Sequence, residues 1–198
     1  MPLPKKIVMA SGNAGKIREI ARLLADLDVE IVPQSDFEVP DADETGTSFV
    51  ENSVIKARHA AALTGLPAIA DDSGLSVDAL DGRPGVYSAR YAGPAASDDD
   101  NVDKLLAEMH GVTDRGAAFH CVASFVPDAD AEPLLGEGEW RGEILTERRG
   151  ANGFGYDPVF LDPASGRASA ELSADEKNAR SHRGKALQAL AAQLKALA

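Results

Sequence analysis

The sequence contains few of the residues that mark secreted or membrane-bound proteins. Its single cysteine, Cys121, cannot form an internal disulfide within the 198 residues, which fits a reducing compartment. No apolar run approaches the length of a membrane span, and Met1–Gly12 contains an apolar run too short for a signal peptide. We therefore expect a soluble, cytoplasmic protein that does not bind membranes.

Positive charge is also scarce. Lys and Arg total 20 against 32 Asp and Glu, which gives a net charge of −12. Such a surface disfavours non-specific binding to nucleic acid or anionic membranes, so we expect neither as a partner. An anionic small molecule remains possible because salt screens surface fields beyond about 8 Å. It would need a local basic cluster and a metal ion.

The pattern of apolar residues predicts one α/β domain over 1–198, since no break in composition separates two parts. Strands are predicted at Lys6–Ala10 and Val29–Val32, and a helix from a Ser48 cap to Gly65. Later elements are predicted as a helix at Asp98–Met109, antiparallel strands at Ala117–Val126 and Pro133–Leu145, and a helical region from Ser173 that breaks at Ser181–Lys185.

An acidic pair ends a short apolar run at Leu66–Gly74. We predict a buried strand that stops at Asp71 and Asp72, whose side chains should point to opposite faces. Ligands of open α/β sheets bind at the carboxyl ends of strands. Two carboxylates there need a cation or hydrogen-bond donors, although a lone pair of this kind is more often a polar turn.

A glycine-bearing segment, Ser11–Lys16, links the first strand to a helix and places Lys16 in the first helical turn. Helix N-termini bind anions through their amides and dipole. The segment is not a Walker A loop, because Ile17 stands where a Mg²⁺-binding hydroxyl is needed. Taken alone, such a turn is more often structural.

The next helix carries a polar stripe. Ser48, Asn52 and Lys56 are spaced four apart, after the acidic loop Asp41–Thr47. A solvated face and a ligand-facing one explain this stripe equally well.

Three later sites carry further predictions. Phe154 lies between two glycines, so its ring could stack on a flat ligand, although inward packing is favoured from the residues alone. His182 and Arg183, at the helix break, are more typical of a ligand contact than of core packing. His120 and Cys121 are predicted to occupy core positions.

Together these segments resemble the inosine/xanthosine triphosphate pyrophosphatases from Ile7 to about Leu190. The resemblance rests on Ser11–Lys16, Glu44–Gly46, Glu51–Ser53 with Lys56 and Ala57, Ala70–Leu75, Gly85–Arg90, Gly153–Pro158 and Ser181–Gly184. Each motif alone would be weak, but their order and spacing match the family.

The resemblance implies an elongated domain with a central mixed sheet, two lobes and an active-site cleft between them. It also implies Mg²⁺ dependence, a homodimer, and hydrolysis of ITP, dITP and XTP to monophosphate and pyrophosphate, which keeps these nucleotides out of DNA and RNA. The implied catalytic residue is Asp72 and the implied metal ligands are Glu44 and Asp72. The implied substrate-binding residues are Ser11, Gly12, Asn13, Ala14, Gly15, Lys16, Lys56, Ser73, Phe154, Gly155, Tyr156, Asp157, Lys177, His182 and Arg183.

In this scheme water attacks the α-phosphorus, and Asp72 accepts its proton directly or through the metal; the role of Asp71 stays open. The triphosphate is assigned to three lysines, to the amides of Ser11–Gly15 and to that of Ser73. These lysines are Lys16, Lys56 and Lys177.

Base choice is assigned to hydrogen-bond donors from His182, Arg183 and the backbone near Tyr156, which favour the acceptor at position 6 of hypoxanthine and xanthine. Either Asp157 or the pocket's shape excludes guanine.

Two alternatives stay open. One is a pyrophosphatase for pyrimidine or modified triphosphates, which the motifs around Phe154 and His182 disfavour. The other is a non-catalytic nucleotide-binding module, which the presence of both Glu44 and Asp72 disfavours.

Overall fold

A computed structural model describes residues 4–11 and 13–197. Within these residues the chain forms α-helices at Ala14–Leu23 (α1), Phe49–Thr64 (α2), Asp98–Glu108 (α3), Ala174–Arg180 (α4) and His182–Ala196 (α5). Strands lie at Lys6–Met9 (β1), Glu30–Pro33 (β2), Ala68–Val77 (β3), Gly116–Val126 (β4), Leu134–Ile144 (β5), Phe160–Asp162 (β6) and Arg167–Ala168 (β7). No helix of the described residues is long and apolar enough to cross a membrane.

The strands form a mixed sheet in the order β2-β1-β3-β4-β5-β6-β7. Strand β1 pairs in parallel with β2 and β3, whereas β6 pairs antiparallel with β5 and β7. The predicted α/β class with a central mixed sheet is therefore confirmed.

The chain divides into two compact units. The first unit comprises residues up to Asp72, Cys121–Gly138 and the residues from Arg183 onward; the second comprises Ser73–His120 and Glu139–His182. The core of the first unit contains Ile7, Ile69 and Leu187, and that of the second contains Trp140 and Phe160. Folding as a single domain over 1–198 stays a prediction.

The predicted start and end of α2 are confirmed. The Ser48 hydroxyl accepts the Glu51 amide, and Gly65 ends the helix with a φ of 67°, a conformation that favours glycine. The Glu51 carboxylate turns back to the Thr47 amide at 2.6 Å, so it holds the preceding loop against the helix.

The prediction that β3 ends at the acidic pair is wrong. The strand continues to Val77, and Leu75 and Val77 are fully buried in the core of the second unit. Burial of these two side chains outweighs the turn preference of Ser73 and Gly74. The two aspartates consequently lie within a strand and not at its carboxyl end.

Candidate active site

The β1–α1 loop orders its own backbone. The Asn13 carbonyl oxygen Oδ1 caps α1 by accepting the amides of Gly15 at 2.8 Å and Lys16 at 3.3 Å. The Asn13 amide in turn donates to Ser11 Oγ at 3.1 Å. Two of the amides that were predicted to hold phosphate, those of Asn13 and Gly15, are thus engaged within the loop. Ala14, which lies between them, is exposed. Gly12 lies outside the described residues.

Asp71 is a buried carboxylate between two cations. Its Oδ1 lies 2.8 Å from Lys16 Nζ, and its Oδ2 lies 3.2 Å from Arg183 Nε. Burial opposes its ionisation, but the charges of Lys16 and Arg183 outweigh burial and hold the pKa of Asp71 well below its usual range. The Cys121 thiol lies 3.9 Å away, and burial raises the pKa of that thiol.

Asp72 and Glu44 share the ammonium group of Lys56. Lys56 Nζ lies 2.8 Å from Glu44 Oε1 and 2.8 Å from Asp72 Oδ1. Burial lowers the pKa of Lys56, but the two carboxylates outweigh burial and raise it. Burial raises the pKa of Asp72, and Lys56 and, to a smaller degree, the Asn52 side chain oppose this shift. The three groups therefore form a compact set in the first unit.

The two carboxylates fit a Mg²⁺ ion. Both already lie within reach of a single cationic group, and carboxylate oxygens are ligands that Mg²⁺ prefers. In the described chain no cluster of three or more His, Cys, Asp or Glu side chains could hold a metal. This donor set suits an ion that takes one or two carboxylates and completes its shell with water and substrate phosphates.

A cavity of about 320 Å³ lies in the first unit beside these groups. Its lining consists of Ala10, Ser11, Lys16, Gln34, Asp41, Ala42, Glu44, Lys56 and Asp71. Both lysines of the first unit's predicted site thus face one cavity, together with the carboxylate of Glu44. Gln34 donates to Asp41 Oδ1 at 2.8 Å, and neither of these lining residues was predicted from the sequence.

The second unit holds an exposed aromatic ring. Phe154 is 58% exposed, so the inward packing favoured from the residues alone is wrong. Lys177 Nζ lies 5.0 Å from its ring centroid and pairs with Asp157. Asp157 is buried and also accepts the Phe154 amide at 2.9 Å and the Ser169 hydroxyl at 2.8 Å. Its carboxylate thus holds the turn and Lys177.

Other predicted base-binding groups also have partners within the second unit. The Gly155 amide donates to Asp98 Oδ2 at 2.7 Å, and the buried Tyr156 hydroxyl donates to the Ser88 carbonyl at 2.8 Å. His182 is only 8% exposed and stacks on Phe119 at 4.8 Å, so it packs in the core; its ligand role stays a prediction. Ser73 lies half-buried in β3.

The core prediction holds for Cys121 but not for its neighbour. Cys121 is buried, whereas the His120 side chain is about one-third exposed and lies 3.7 Å from a Glu139 oxygen. Adjacent strand residues face opposite sides of a sheet, so only one of the two could enter the core of its unit.

Asn52 was not predicted as a site residue. Its side chain is fully buried, and its Oδ1 accepts the Gly46 amide at 2.8 Å. The stripe of Ser48, Asn52 and Lys56 is therefore not a solvated face at its centre. The four-residue spacing to Lys56 was the signal that could have identified Asn52.

Comparisons with known proteins identify the family. The model of the Ham1 family matches residues 7–193. A dITP/XTP pyrophosphatase of Methylococcus capsulatus is 60% identical over 196 residues, 98% of each chain, and one of Vibrio parahaemolyticus is 58% identical, covering 97% of this chain and 98% of the relative.

Solved structures give the same result. A HAM1 protein of Coxiella burnetii superposes with a TM-score of 0.93 at 51% identity, covering 96% of this chain and 98% of the other. The Staphylococcus aureus Ham1 protein gives 0.91 at 42% identity, covering 98% and 100%. The chain therefore belongs to the Ham1 family.

Proposed function

We propose that this protein hydrolyses dITP, XTP and ITP to the nucleoside monophosphate and pyrophosphate. Its closely similar relatives carry the name dITP/XTP pyrophosphatase. The observation that carries the proposal is the convergence of Glu44 and Asp72 on Lys56, beside a cavity that Lys16 also lines. Phosphoryl transfer asks a protein mainly for positioning and charge neutralisation, and this set provides both.

The cations of the first unit are assigned to the triphosphate. Lys16 and Lys56 carry the positive charge in the cavity, and Asp71 holds Lys16 there at 2.8 Å. Ser11 and the N-terminus of α1 lie at the same place. The cavity lining also contains Asp41, Glu44 and Asp71, so the two lysines are locally neutralised until phosphate groups bind to them.

Glu44 and Asp72 are assigned to Mg²⁺, which when bound would neutralise phosphate charge during the displacement. Lys56 would contact the phosphates as well, since its ammonium has three N–H donors and the two carboxylates occupy two of them. Asp72 is assigned the proton of the attacking water, since a buried carboxylate placed next to the phosphate can act as a general base.

The assignment of base recognition to His182, Arg183 and the backbone near Tyr156 stays a prediction. The exposed Phe154 ring provides a stacking surface. Lys177, which was expected at the triphosphate, lies beside this ring and is therefore reassigned as a donor to the base. Assembly as a homodimer, location in the cytoplasm and the hydrolysis of ITP beside dITP and XTP stay predictions.

Product analysis tests the proposal. The protein is incubated with Mg²⁺ and a panel of nucleoside triphosphates, and the products are separated and identified. We expect monophosphate and pyrophosphate from dITP and XTP. Orthophosphate without pyrophosphate would exclude attack at the α-phosphorus, and binding without turnover would favour a non-catalytic module.

A matched pair of variants tests the role of Asp72. We expect Asp72→Asn to lower kcat by at least about 100-fold while nucleotide binding stays measurable, because general-base catalysis contributes about 100- to 10,000-fold. Asp43→Asn removes an exposed carboxylate from the Glu44 loop and should leave kcat unchanged. Near-normal turnover by Asp72→Asn would remove the assigned role.

A further inference from the structure

We propose that Asn52 is a positioning residue that holds the Glu44 loop so that Glu44 and Asp72 face a common cation. The inference rests on the proposed function, because it assigns Asn52 a task in the same site. Asn52 does not line the cavity and is not expected to contact substrate. It acts through the loop that it binds.

The first step is the placement of Asn52. It lies in α2 one turn before Lys56, and its side chain is completely buried. A buried amide in a helix is costly unless its polar atoms find partners. Its Oδ1 has one in the Gly46 amide at 2.8 Å, and Gly46 is two residues from Glu44.

The second step is the fit at Gly46. A Cβ atom at this position would lie 2.6 Å from Glu51 Cβ and 2.7 Å from Asn52 Oδ1. Real Cβ atoms do not approach so closely, so only glycine lets the loop come near enough to donate to Asn52. The hydrogen bond from Gly46 to Asn52 therefore depends on the close approach that glycine permits.

The third step is that neighbouring contacts bind the same segment. The Glu51 carboxylate accepts the Thr47 amide at 2.6 Å and the Thr47 hydroxyl at 2.9 Å, and Ser48 caps the helix. The loop between Glu44 and Ser48 is thus fixed to the first turn of α2. Lys56, one turn further along, then contacts Glu44 and Asp72 at 2.8 Å each.

The side-chain nitrogen of Asn52, Nδ2, argues against a role in stability alone. Asn52 Nδ2 is buried and has no hydrogen-bond acceptor in the described chain, which is unfavourable. A group placed only for stability would be replaced at lower cost by an apolar side chain of the same volume. Asn52 thus has a role in holding the Glu44 loop that stability alone does not explain.

Two variants test the inference against a matched control. Asn52→Leu removes both polar atoms, and Gly46→Ala leaves residue 52 unchanged but displaces the loop through the clash of the new Cβ. Ser53→Ala is the control, because Ser53 is the next residue of α2, is equally buried, and its hydroxyl bonds to Ser124 Oγ at 2.7 Å and to the Ala70 carbonyl at 3.3 Å, not to the Glu44 loop. Each variant is measured for thermal stability, for Mn²⁺ binding by electron paramagnetic resonance without nucleotide, and for kcat and KM with dITP.

We expect both test variants to bind Mn²⁺ about 10- to 100-fold more weakly and to lose kcat by a similar factor, since residues that orient metal ligands have effects of this size. KM for dITP should change little. Ser53→Ala should lower thermal stability but leave Mn²⁺ affinity and kcat unchanged. If the role of Asn52 were purely structural, the two test variants would give this same result.

The inference is overturned if Mn²⁺ affinity and kcat of both test variants equal those of Ser53→Ala. A wild-type protein that neither binds Mn²⁺ nor releases pyrophosphate would overturn the proposed function and this inference together. Normal turnover by the wild type with unchanged variants overturns this inference alone.

Discussion

Asp71 and Asp72 are adjacent in the sequence, yet they meet different cations. Asp71 pairs with Lys16 and Arg183, whereas Asp72 pairs with Lys56. Alternation along a strand separates neighbouring side chains, so one carboxylate can hold basic residues in place while the other is available for chemistry. The structure thus gives Asp71 a task that its position in the sequence left open.

Removing the charge of Asp71 should destabilise the protein strongly. Asp71→Asn leaves the two cations without their shared buried counter-charge, and breaking a buried pair in this way costs about 3–5 kcal/mol. The measurement is the free energy of unfolding from chemical denaturation at neutral pH. Asp78→Asn, which breaks an exposed pair with Arg141, should cost less than about 1 kcal/mol. Equal losses in the two variants would contradict the assignment.

The Phe154 ring should contribute to nucleotide affinity. Stacking of a base on an aromatic ring is worth about 1–3 kcal/mol, so Phe154→Ala should raise KM for dITP by roughly 5- to 150-fold. Leu63→Ala is the matched control, because Leu63 is 57% exposed, close to the 58% of Phe154. KM for dITP is measured for both variants by steady-state kinetics. An unchanged KM in Phe154→Ala would exclude stacking.

Residue types could be predicted from the sequence better than their surroundings. Carboxylates and lysines from separate segments were expected to meet, and Glu44, Lys56 and Asp72 do so. The burial of Asn52 and the stacking of His182 on Phe119 could not be predicted, since burial depends on neighbours far away in the chain. Motif spacing identifies which residues matter, while tertiary packing decides how each is used.

At the scale of elements, local signals predicted helix ends well. The Ser48 and Ser173 caps and the Gly65 end depend on residues within one turn, and all three were expected from the sequence. The length of β3 was not, because its continuation past Gly74 depends on burial of Leu75 and Val77 against distant residues. Interactions of long sequence separation thus account for the main error in the fold.

The contact between β5, β6 and α4 should give stability that depends on pH. Asp162 ends β6 and accepts from Trp140 Nε1 at 3.2 Å and from Arg180 at 3.0 Å. Burial raises the pKa of Asp162, but hydrogen bonds from Ser165 and Trp140 and the Arg180 charge outweigh it, so the pKa lies below its ordinary value. The resulting stabilisation is present above the unfolded pKa, about 3.9, and is lost as pH falls through the lower folded value.

Asp162→Asn should therefore lower the free energy of unfolding by about 1–3 kcal/mol at pH 7, and the difference from the wild type should shrink below pH 4. Denaturation curves at several pH values measure this. Asp99→Asn, which breaks an exposed pair with Arg148, should show a difference under about 1 kcal/mol. A constant difference for Asp162→Asn across the pH range would contradict the charge-based explanation.

At the scale of the whole molecule, an acidic protein is proposed to bind a polyanion. The net charge of −12 repels triphosphates at long range, but fields at the surface are screened beyond about 8 Å. Within that distance the cavity of the first unit presents Lys16 and Lys56, and nearby carboxylates raise the pKa of Lys56. A bound Mg²⁺ ion and these two lysines would together outweigh the Asp41, Glu44 and Asp71 carboxylates of the cavity, so local charge can decide binding against the global balance.

A single pair of substrates tests the proposed base selection. dITP and dATP differ at position 6 of the purine, where hypoxanthine presents an acceptor and adenine a donor. If His182, Arg183, Lys177 or backbone amides supply donors there, adenine leaves one of them unpaired, which costs about 1–3 kcal/mol. We expect kcat/KM for dITP to exceed that for dATP by roughly 5- to 150-fold, measured by pyrophosphate release. Equal efficiency would show that the donors do not face the base, and Arg183, already paired with Asp71, would then be assigned to the phosphate end.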